Sequence, residues 1–342
     1  MATTAPVLTI DGLKTWFHTD DGVVKATDGV SYDVYPGETL AVVGESGSGK
    51  SVTALSALRL IPEPPGKIEA GRVLFDGHDL TKIHKRELRS IRGRKIAMIF
   101  QEPMTSLNPV QQIGRQIMEP MLIHQICTRA EARRRAIDLL HRVGIPAPEQ
   151  RIDDYPYQLS GGMRQRVMIA IALACKPDVL IADEPPSAVD VTVQLQILRL
   201  LKDLQREMGM AVVLITHDLG VVAETADRVV VMYAGRVVET APLRDIFYAS
   251  VHPYVAGLRA SIPDLAVKVD RLPVIPGQVP NAAQLPAGCP FHPRCPHVME
   301  RCRSEDPPET TVLATTSPSS AAAGGPAHHH VRCWLNNEET RQ

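Results

Sequence analysis

Gly44-Glu45-Ser46-Gly47-Ser48-Gly49-Lys50-Ser51 decides the fold. The octet is a complete G-x-x-x-x-G-K-[ST] loop. The apolar run Leu40-Ala41-Val42-Val43 before it reads as a buried strand, and Val52 to Leu58 after it reads as a helix. That strand–loop–helix setting is the context the motif requires. The glycines allow backbone N–H groups to turn inward around phosphate oxygens, and the helix N-terminus adds positive potential. Lys50 is placed to reach β- and γ-phosphates, and the Ser51 hydroxyl to ligate Mg²⁺. The pattern predicts an α/β chain that binds a nucleoside triphosphate.

A second anion site lies far along the sequence. Leu159-Ser160-Gly161-Gly162-Met163-Arg164-Gln165-Arg166 opens the apolar stretch Val167 to Ala174, which reads as a helix. Ser160 is a natural N-cap, and Gly161 and Gly162 leave the first N–H groups of the helix bare. One phosphate chain does not need two such sites in one subunit. The simplest resolution is that Ser160 to Gly162 address a γ-phosphate held by a neighbouring subunit. Here the chain resembles the ABC transporter ATPases, whose signature is LSGGQ. Met163 stands where that family often has Gln, a variant common in its peptide-importer branch.

The remaining parts follow in the family's order. Val179-Leu180-Ile181-Ala182-Asp183-Glu184 is an apolar strand whose only charges sit at its C-terminal end, where ligands gather in parallel α/β sheets. The resemblance implies that Asp183 holds Mg²⁺ through water and that Glu184 is the general base. His217, after the strand Ala211 to Ile215, matches the switch histidine that contacts the γ-phosphate. Gln101, after Ala97-Met98-Ile99-Phe100, resembles the glutamine that senses Mg²⁺ and links to membrane subunits. The family places an aromatic adenine platform at the end of the first strand. Phe17 is preferred to Trp16 there, because strand side chains alternate between faces. One departure stands out: Pro185-Pro186-Ser187-Ala188-Val189-Asp190 replaces the usual Pro-Thr-x-Ala-Leu-Asp. Asp190 is kept, while Pro186 stiffens the backbone after the base and removes an N–H.

Composition fits a peripheral ATPase. The chain has 342 residues, 44% apolar and 22% charged, enough for a full core and an appendage. A formal net charge of −1 gives no reason to expect a nucleic acid or an anionic membrane surface as partner. No apolar run approaches the roughly 18–20 residues that span a bilayer. Met1 to Pro6 lacks the basic-then-apolar pattern of a secretion signal. The chain is therefore expected to stay in the cytoplasm; the resemblance implies a place at the cytoplasmic face of the cell membrane, with partners supplying the membrane path.

Residues 7–250 are expected to form the nucleotide-binding domain: a RecA-like core of the P-loop NTPase type, an N-terminal antiparallel β subdomain, and a helical insertion over about 102–159. Gly71 to Gly77 reads as a strand closed by an Asp-Gly turn. Thr128-Arg129-Ala130-Glu131 reads as a capping box, followed at helical spacing by Ala132, Ala136, Leu139, Leu140 and Val143 before Gly144. The arginines at 133 to 135 read as a solvated face. Cys127 and Cys175 fall in helical segments and read as core residues.

Residues 251–342 differ in kind. His252-Pro253-Tyr254 opens a proline-rich segment that resembles the C-terminal extension of the oligopeptide/dipeptide importer ATPases. Thr311 to Ala327 reads as a linker, and His328 to His330 as a polar tract rather than a metal site. Cys289, Cys295 and Cys302 cluster, and Cys333 lies beyond the linker. A cytoplasmic setting disfavours disulfides, so converging thiols point to zinc or an iron–sulfur cluster, with unliganded cysteines in a loose tail as the alternative. No C-x-x-C pair occurs, and the wider C-x5-C-x6-C spacing suits a cubane better. The resemblance implies a [4Fe–4S] centre on these four residues, with zinc as the rival.

The same resemblance implies an ATP-hydrolysing subunit of a di- or oligopeptide importer. Its expected partners are a second, non-identical ATPase subunit docked head to tail, two permease subunits and an extracytoplasmic peptide-binding protein. Nickel, an oligosaccharide or glutathione remain open as cargo. A soluble ABC ATPase acting on ribosomes or DNA is the competing reading. Such proteins carry two ATPase domains or a long inserted coiled coil, and this chain has neither.

Overall fold

Residues 5–101, 106–185, 191–262, 273–312 and 328–336 are described by the structure, a computed structural model. Two compact units divide the chain, one of Met1–Lys82 with Ile215–Gln342 and the other of Ile83–Leu214.

The strands in chain order are β1 (Leu8–Thr19), β2 (Gly22–Val34), β3 (Thr39–Val43), β4 (Gly66–Phe75), β5 (His78–Asp79), β6 (Ile96–Ile99), β7 (Val179–Asp183), β8 (Ala211–Thr216), β9 (Arg228–Tyr233), β10 (Arg236–Pro242), β11 (Glu309–Val312) and β12 (His329–Arg332).

In the first unit, β2, β1, β4 and β5 form an antiparallel sheet in that order. Its strands alternate between buried and half-exposed residues, as in a sheet with one face on a core: Leu8, Ile10, Leu13 and Thr15 point inward along β1. Asp76 and Gly77 at the β4–β5 turn both have positive φ, 48° and 77°, as a two-residue hairpin turn demands. A second sheet of this unit runs β11, β12, β10, β9, β3. All five residues of β3 are buried, and β3 pairs in parallel with β9. A strand covered on both faces needs such an unbroken apolar run.

The second unit is mostly helical. Its helices are Lys85–Ile91, Ile113–Ile123, Arg129–Arg142, Pro148–Arg151, Gly161–Leu173 and Val191–Met208, with the parallel pair β6 and β7. Only half of the expected capping box forms. Thr128 accepts the Glu131 N–H at 3.4 Å, but the Glu131 carboxylate turns to Arg135, which sits one turn on and offers a guanidinium instead of a neutral N–H. Cys127 and Cys175 lie just outside helices, in the bend before Arg129 and the turn after Leu173, and both are half-buried.

The described part of the proline-rich segment is more ordered than its composition suggests. Pro253–Ala260 is a helix, with Pro253 in its first turn and His252 capping it by accepting the Tyr254 N–H at 3.1 Å. Thr311 and Val312 belong to β11, so the expected linker cannot start before residue 313, and 313–327 lie outside the described residues. The histidine tract is a strand rather than a loose tail. His329 is 1% exposed and its Nε2 meets Glu239 Oε1 at 2.7 Å. Tyr254, Val255 and Phe291 are buried in one cluster with Ala41 and Val43 of β3 and Tyr233 of β9. The extension thus shares the core that carries the phosphate-loop strand.

Asp28 on β2 anchors this unit. Lys14 Nζ donates to one oxygen at 2.9 Å and Arg236 Nη2 to the other at 2.8 Å, tying β1 and β10 to β2. Burial raises the Asp28 pKa, but these bonds and charges outweigh it and hold the carboxyl below its ordinary range. A depressed carboxylate stabilises the fold above its unfolded pKa and ceases to do so once it is protonated. Asp28→Asn should therefore lower unfolding stability by about 2 kcal/mol at pH 7. Chemical denaturation of both proteins should give a gap that is constant down to the ordinary Asp range and closes only at lower pH.

Candidate active site

Gly44 to Ser51 leaves β3 and enters the helix Lys50–Ala57, with Gly49 at the cap position and no side chain capping it. Lys50 is 6% exposed and curls back over the loop, its Nζ donating to Gly44 O at 2.7 Å and Glu45 O at 3.0 Å. The loop surrounds a cation whose natural counterpart is a phosphate chain.

Two glycines are required by space as well as by conformation. Gly44 has φ +155° and a Cβ there would lie 2.2 Å from Met232 O; Gly49 has φ +96° and a Cβ would lie 2.4 Å from Ala26 O. The Gly235 N–H donates to Ser48 O at 3.0 Å, and the Asp28 N–H to Gly235 O at 2.8 Å. The loop is therefore clamped between the β9–β10 turn and β2.

Phe17, half-buried on β1, packs over Gly66: a Cβ on that glycine would sit 2.9 Å from the ring. Neighbouring Trp16 is engaged elsewhere, with Lys25 Nζ 4.9 Å from its ring centre. His217 is exposed directly after β8, and Asp218 caps the helix Leu219–Thr225 that follows.

In the second unit Asp183 is 4% exposed at the end of β7. The next residue, Glu184, has φ +47°, a left-handed conformation that non-glycine residues avoid. Strain of this kind is retained where a side chain must be aimed. The Glu184 Oε2 accepts a hydrogen bond from Gln101 Nε2 at 2.7 Å. Two residues read separately from the sequence are thus brought into contact. Ser160 caps Gly161–Leu173 by accepting the Met163 N–H at 3.3 Å, and Ser160 and Gly161 are exposed. A Cβ on Gly162 would crowd Val193 at 3.1 Å. Pro186 and Asp190 lie outside the described residues.

Cys289, Cys295, Cys302 and Cys333 line one small cavity in the first unit, with Phe291, Met299 and Trp334 among its walls. The Cys289 N–H donates to Cys302 O at 2.9 Å, closing the loop between them. Burial pushes the Cys289 thiol up to about 11 and Cys333 up to about 12. Among the described residues, no group of three or more His, Cys, Asp or Glu forms a ready metal site.

Sequence reasoning missed Arg294, whose Nη1 donates to both Glu45 oxygens at 3.1 Å. The only signal for it was its position beside Cys295.

Residues 27–187 match the ABC transporter family model, and residues 238–302 match the model of the oligopeptide/dipeptide transporter C-terminal region. A solved dimeric ATP-binding cassette in a post-hydrolysis state with ADP and Pi is similar, with a TM-score of 0.62 and 30% identity over 69% of this chain and 99% of that one. These define a class, the ABC ATPase cassette. The chain belongs to the family of ABC transporter ATP-binding proteins that carry the oligopeptide/dipeptide transporter C-terminal region. It is 52% identical over 302 residues to a probable peptide ABC transporter ATP-binding protein of Sinorhizobium fredii, covering 88% of this chain and 90% of that protein. It is 50% identical over 301 residues to the dipeptide transport ATP-binding protein DppD of Escherichia coli, covering 88% and 92% respectively.

Gly49→Ala should abolish nucleotide binding, because the new methyl must displace Ala26 O or the loop itself. Calorimetric titration of the full chain with ATP should show no saturable binding, while circular dichroism keeps the helical signal. Wild-type affinity in this variant would show that the loop is not held as described.

Proposed function

We propose that this chain hydrolyses ATP to drive import of di- or oligopeptides through a membrane complex. The observation that carries the reading is the packing of the 238–302 region into the same core as the phosphate-loop strand. A bare cassette of another branch would not need that extension. In this reading Lys50 binds the β- and γ-phosphates, while Ser51, Asp183 and Gln101 are the residues that hold Mg²⁺. Bound there, Mg²⁺ would supply charge neutralisation at the phosphates. Glu184 polarises the attacking water, and Gln101 aims it by the bond between the two side chains. His217 contacts the γ-phosphate, and Phe17 stacks on adenine. Ser160, Gly161 and Gly162 act on nucleotide held by a second, non-identical ATPase subunit docked head to tail, with Asp190 at the same junction. Two permease subunits and a peptide-binding protein complete the assembly, which places this chain at the cytoplasmic face of the membrane. No described helix is long and apolar enough to cross a membrane.

The four-cysteine cavity is proposed to hold a [4Fe–4S] cluster. Four cysteines around one small cavity, whose lining also includes His252, His292 and His297, support this. Ligation would deprotonate the Cys289, Cys295 and Cys333 thiols, which burial otherwise keeps neutral. The four cysteines fall outside every ATP motif of the sequence, so the role of the centre is structural or regulatory.

Glu184→Gln should retain ATP binding in the assembled complex while kcat falls by about 10²–10⁴-fold, because the amide cannot take the proton. Hydrolysis at the wild-type rate would remove Glu184 from its role, and loss of peptide uptake alongside ATPase activity would tie the chemistry to the cargo.

Anaerobic purification of the chain should give a brown protein with about four irons, as expected for a cubane. Cys295→Ser should lose the colour. A colourless wild type with one zinc would decide for the rival metal.

A further inference from the structure

Glu45, second in the phosphate loop, carries a charge at odds with the loop's task. A carboxylate beside a triphosphate repels it, and repulsion is strong where water is partly excluded. Residues from beyond position 250 hold Glu45 both at its side chain and at its backbone. Arg294 Nη1 donates to Glu45 Oε1 and Oε2, both at 3.1 Å, and to Tyr233 Oη at 3.3 Å. The Glu45 backbone N–H donates to Tyr254 Oη at 2.9 Å.

Arg294 is itself anchored. Its Nε donates to Pro276 O at 2.9 Å and its Nη2 to Ile275 O at 3.3 Å. Its side chain is 5% exposed, whereas that of Glu45 is 29% exposed. Tyr233, Tyr254 and Phe291 pack edge-on and tilted around this point, with ring centres 4.7 to 5.4 Å apart. The guanidinium therefore cannot follow Glu45 if the loop moves. Glu45 must stay where Arg294 is.

We propose that Arg294 is a positioning residue for nucleotide binding: it neutralises the Glu45 carboxylate and fixes it to the extension, so that the loop N–H groups and Lys50 present a net positive field to the phosphates. This deepens the reading of Gly44 to Ser51 as an ATP site and rests on it. Because Arg294 immediately precedes Cys295, the cysteine-lined cavity and the phosphate loop are joined through one ion pair.

The test is ATP affinity of the full chain, by titration with ATP, for wild type, Arg294→Met, Arg294→Lys, Glu45→Gln and the Arg294→Met/Glu45→Gln double variant. Arg294→Met should weaken Kd by about tenfold, a coupling within the usual range for a contacting pair. The loss should shrink as salt rises. Glu45→Gln in that background should restore Kd to within about twofold of wild type, because the repelling charge is gone. Arg294→Lys, which keeps a cation, should lie between. A merely structural Arg294, holding the Ile275 and Pro276 carbonyls, would leave the double variant as weak as Arg294→Met, and that result overturns the proposal. So does an unchanged Kd in Arg294→Met. Should Arg294→Met fail to fold by thermal melting, Arg294→Lys and its own double with Glu45→Gln carry the same comparison. A wild-type chain that bound no ATP would overturn the site and the proposal together, whereas an unrescued loss overturns the proposal alone.

Discussion

Backbone-on-backbone packing beneath the phosphate loop is the constraint on which the rest of the first unit depends. Gly49 and Gly235 lie so close to Ala26 O that neither could carry a side chain. The hydrogen bonds from Gly235 to Ser48 and from Asp28 to Gly235 run through the same contact. Three separate stretches of sequence meet there: the loop, the β9–β10 turn and β2. Arg236, one residue beyond the turn, then pairs with the Asp28 side chain. Loop position, turn conformation and strand pairing are consequently one structural decision. A change in any of them propagates to the others, because close-packed backbone has no side chain that can yield.

The C-terminal extension solves a related problem of burial. Glu239 on β10 is fully buried, a costly place for a carboxylate without partners. It accepts the N–H groups of Val251 and His252 at 3.0 and 2.8 Å, and its other contact is His329 Nε2. Every one of these partners lies after residue 250. His252 is buried too, its pKa pushed down to about 3 by desolvation, so it stays neutral and can accept the Tyr254 N–H. A chain cut before Val251 would leave Glu239 without these bonds and Tyr233 without its aromatic neighbours. The extension belongs to the domain in energetic terms, although its composition reads as an appendage.

Legibility in the sequence followed the range of the interactions. Local signals are legible: β3, β7 and the Ser160 cap depend on periodicity and on residues within one turn. The phosphate loop was equally clear, because its chemistry is contained in eight consecutive residues. What escaped depends on distant pairing. The strand character of His329 to Arg332 comes from β10 and β11, and no local pattern distinguishes a histidine tract in a strand from one in a tail. The Glu45–Arg294 pair spans 249 positions, and nothing near either residue points to the other. The Glu131 arm of the capping box failed for a simpler reason: a motif states what a side chain can reach, and Arg135 outbid the backbone.

Glu184 shows how local strain and long-range contact combine. β7 places Asp183 in the interior, where its neighbours fix it, and the chain must then leave the strand abruptly. The left-handed φ of Glu184 makes that turn, at a conformational cost of about 1–3 kcal/mol for a residue with a Cβ. A glycine would make the same turn without strain but would supply no carboxylate. The side chain is then held by Gln101, which sits at the end of a different strand, β6, paired in parallel with β7. Parallel pairing brings the C-terminal ends of both strands to the same edge, so the two residues meet by construction rather than by loop flexibility. The aim of the carboxylate therefore follows from sheet register, and any shift between β6 and β7 would be felt first at the Gln101–Glu184 hydrogen bond.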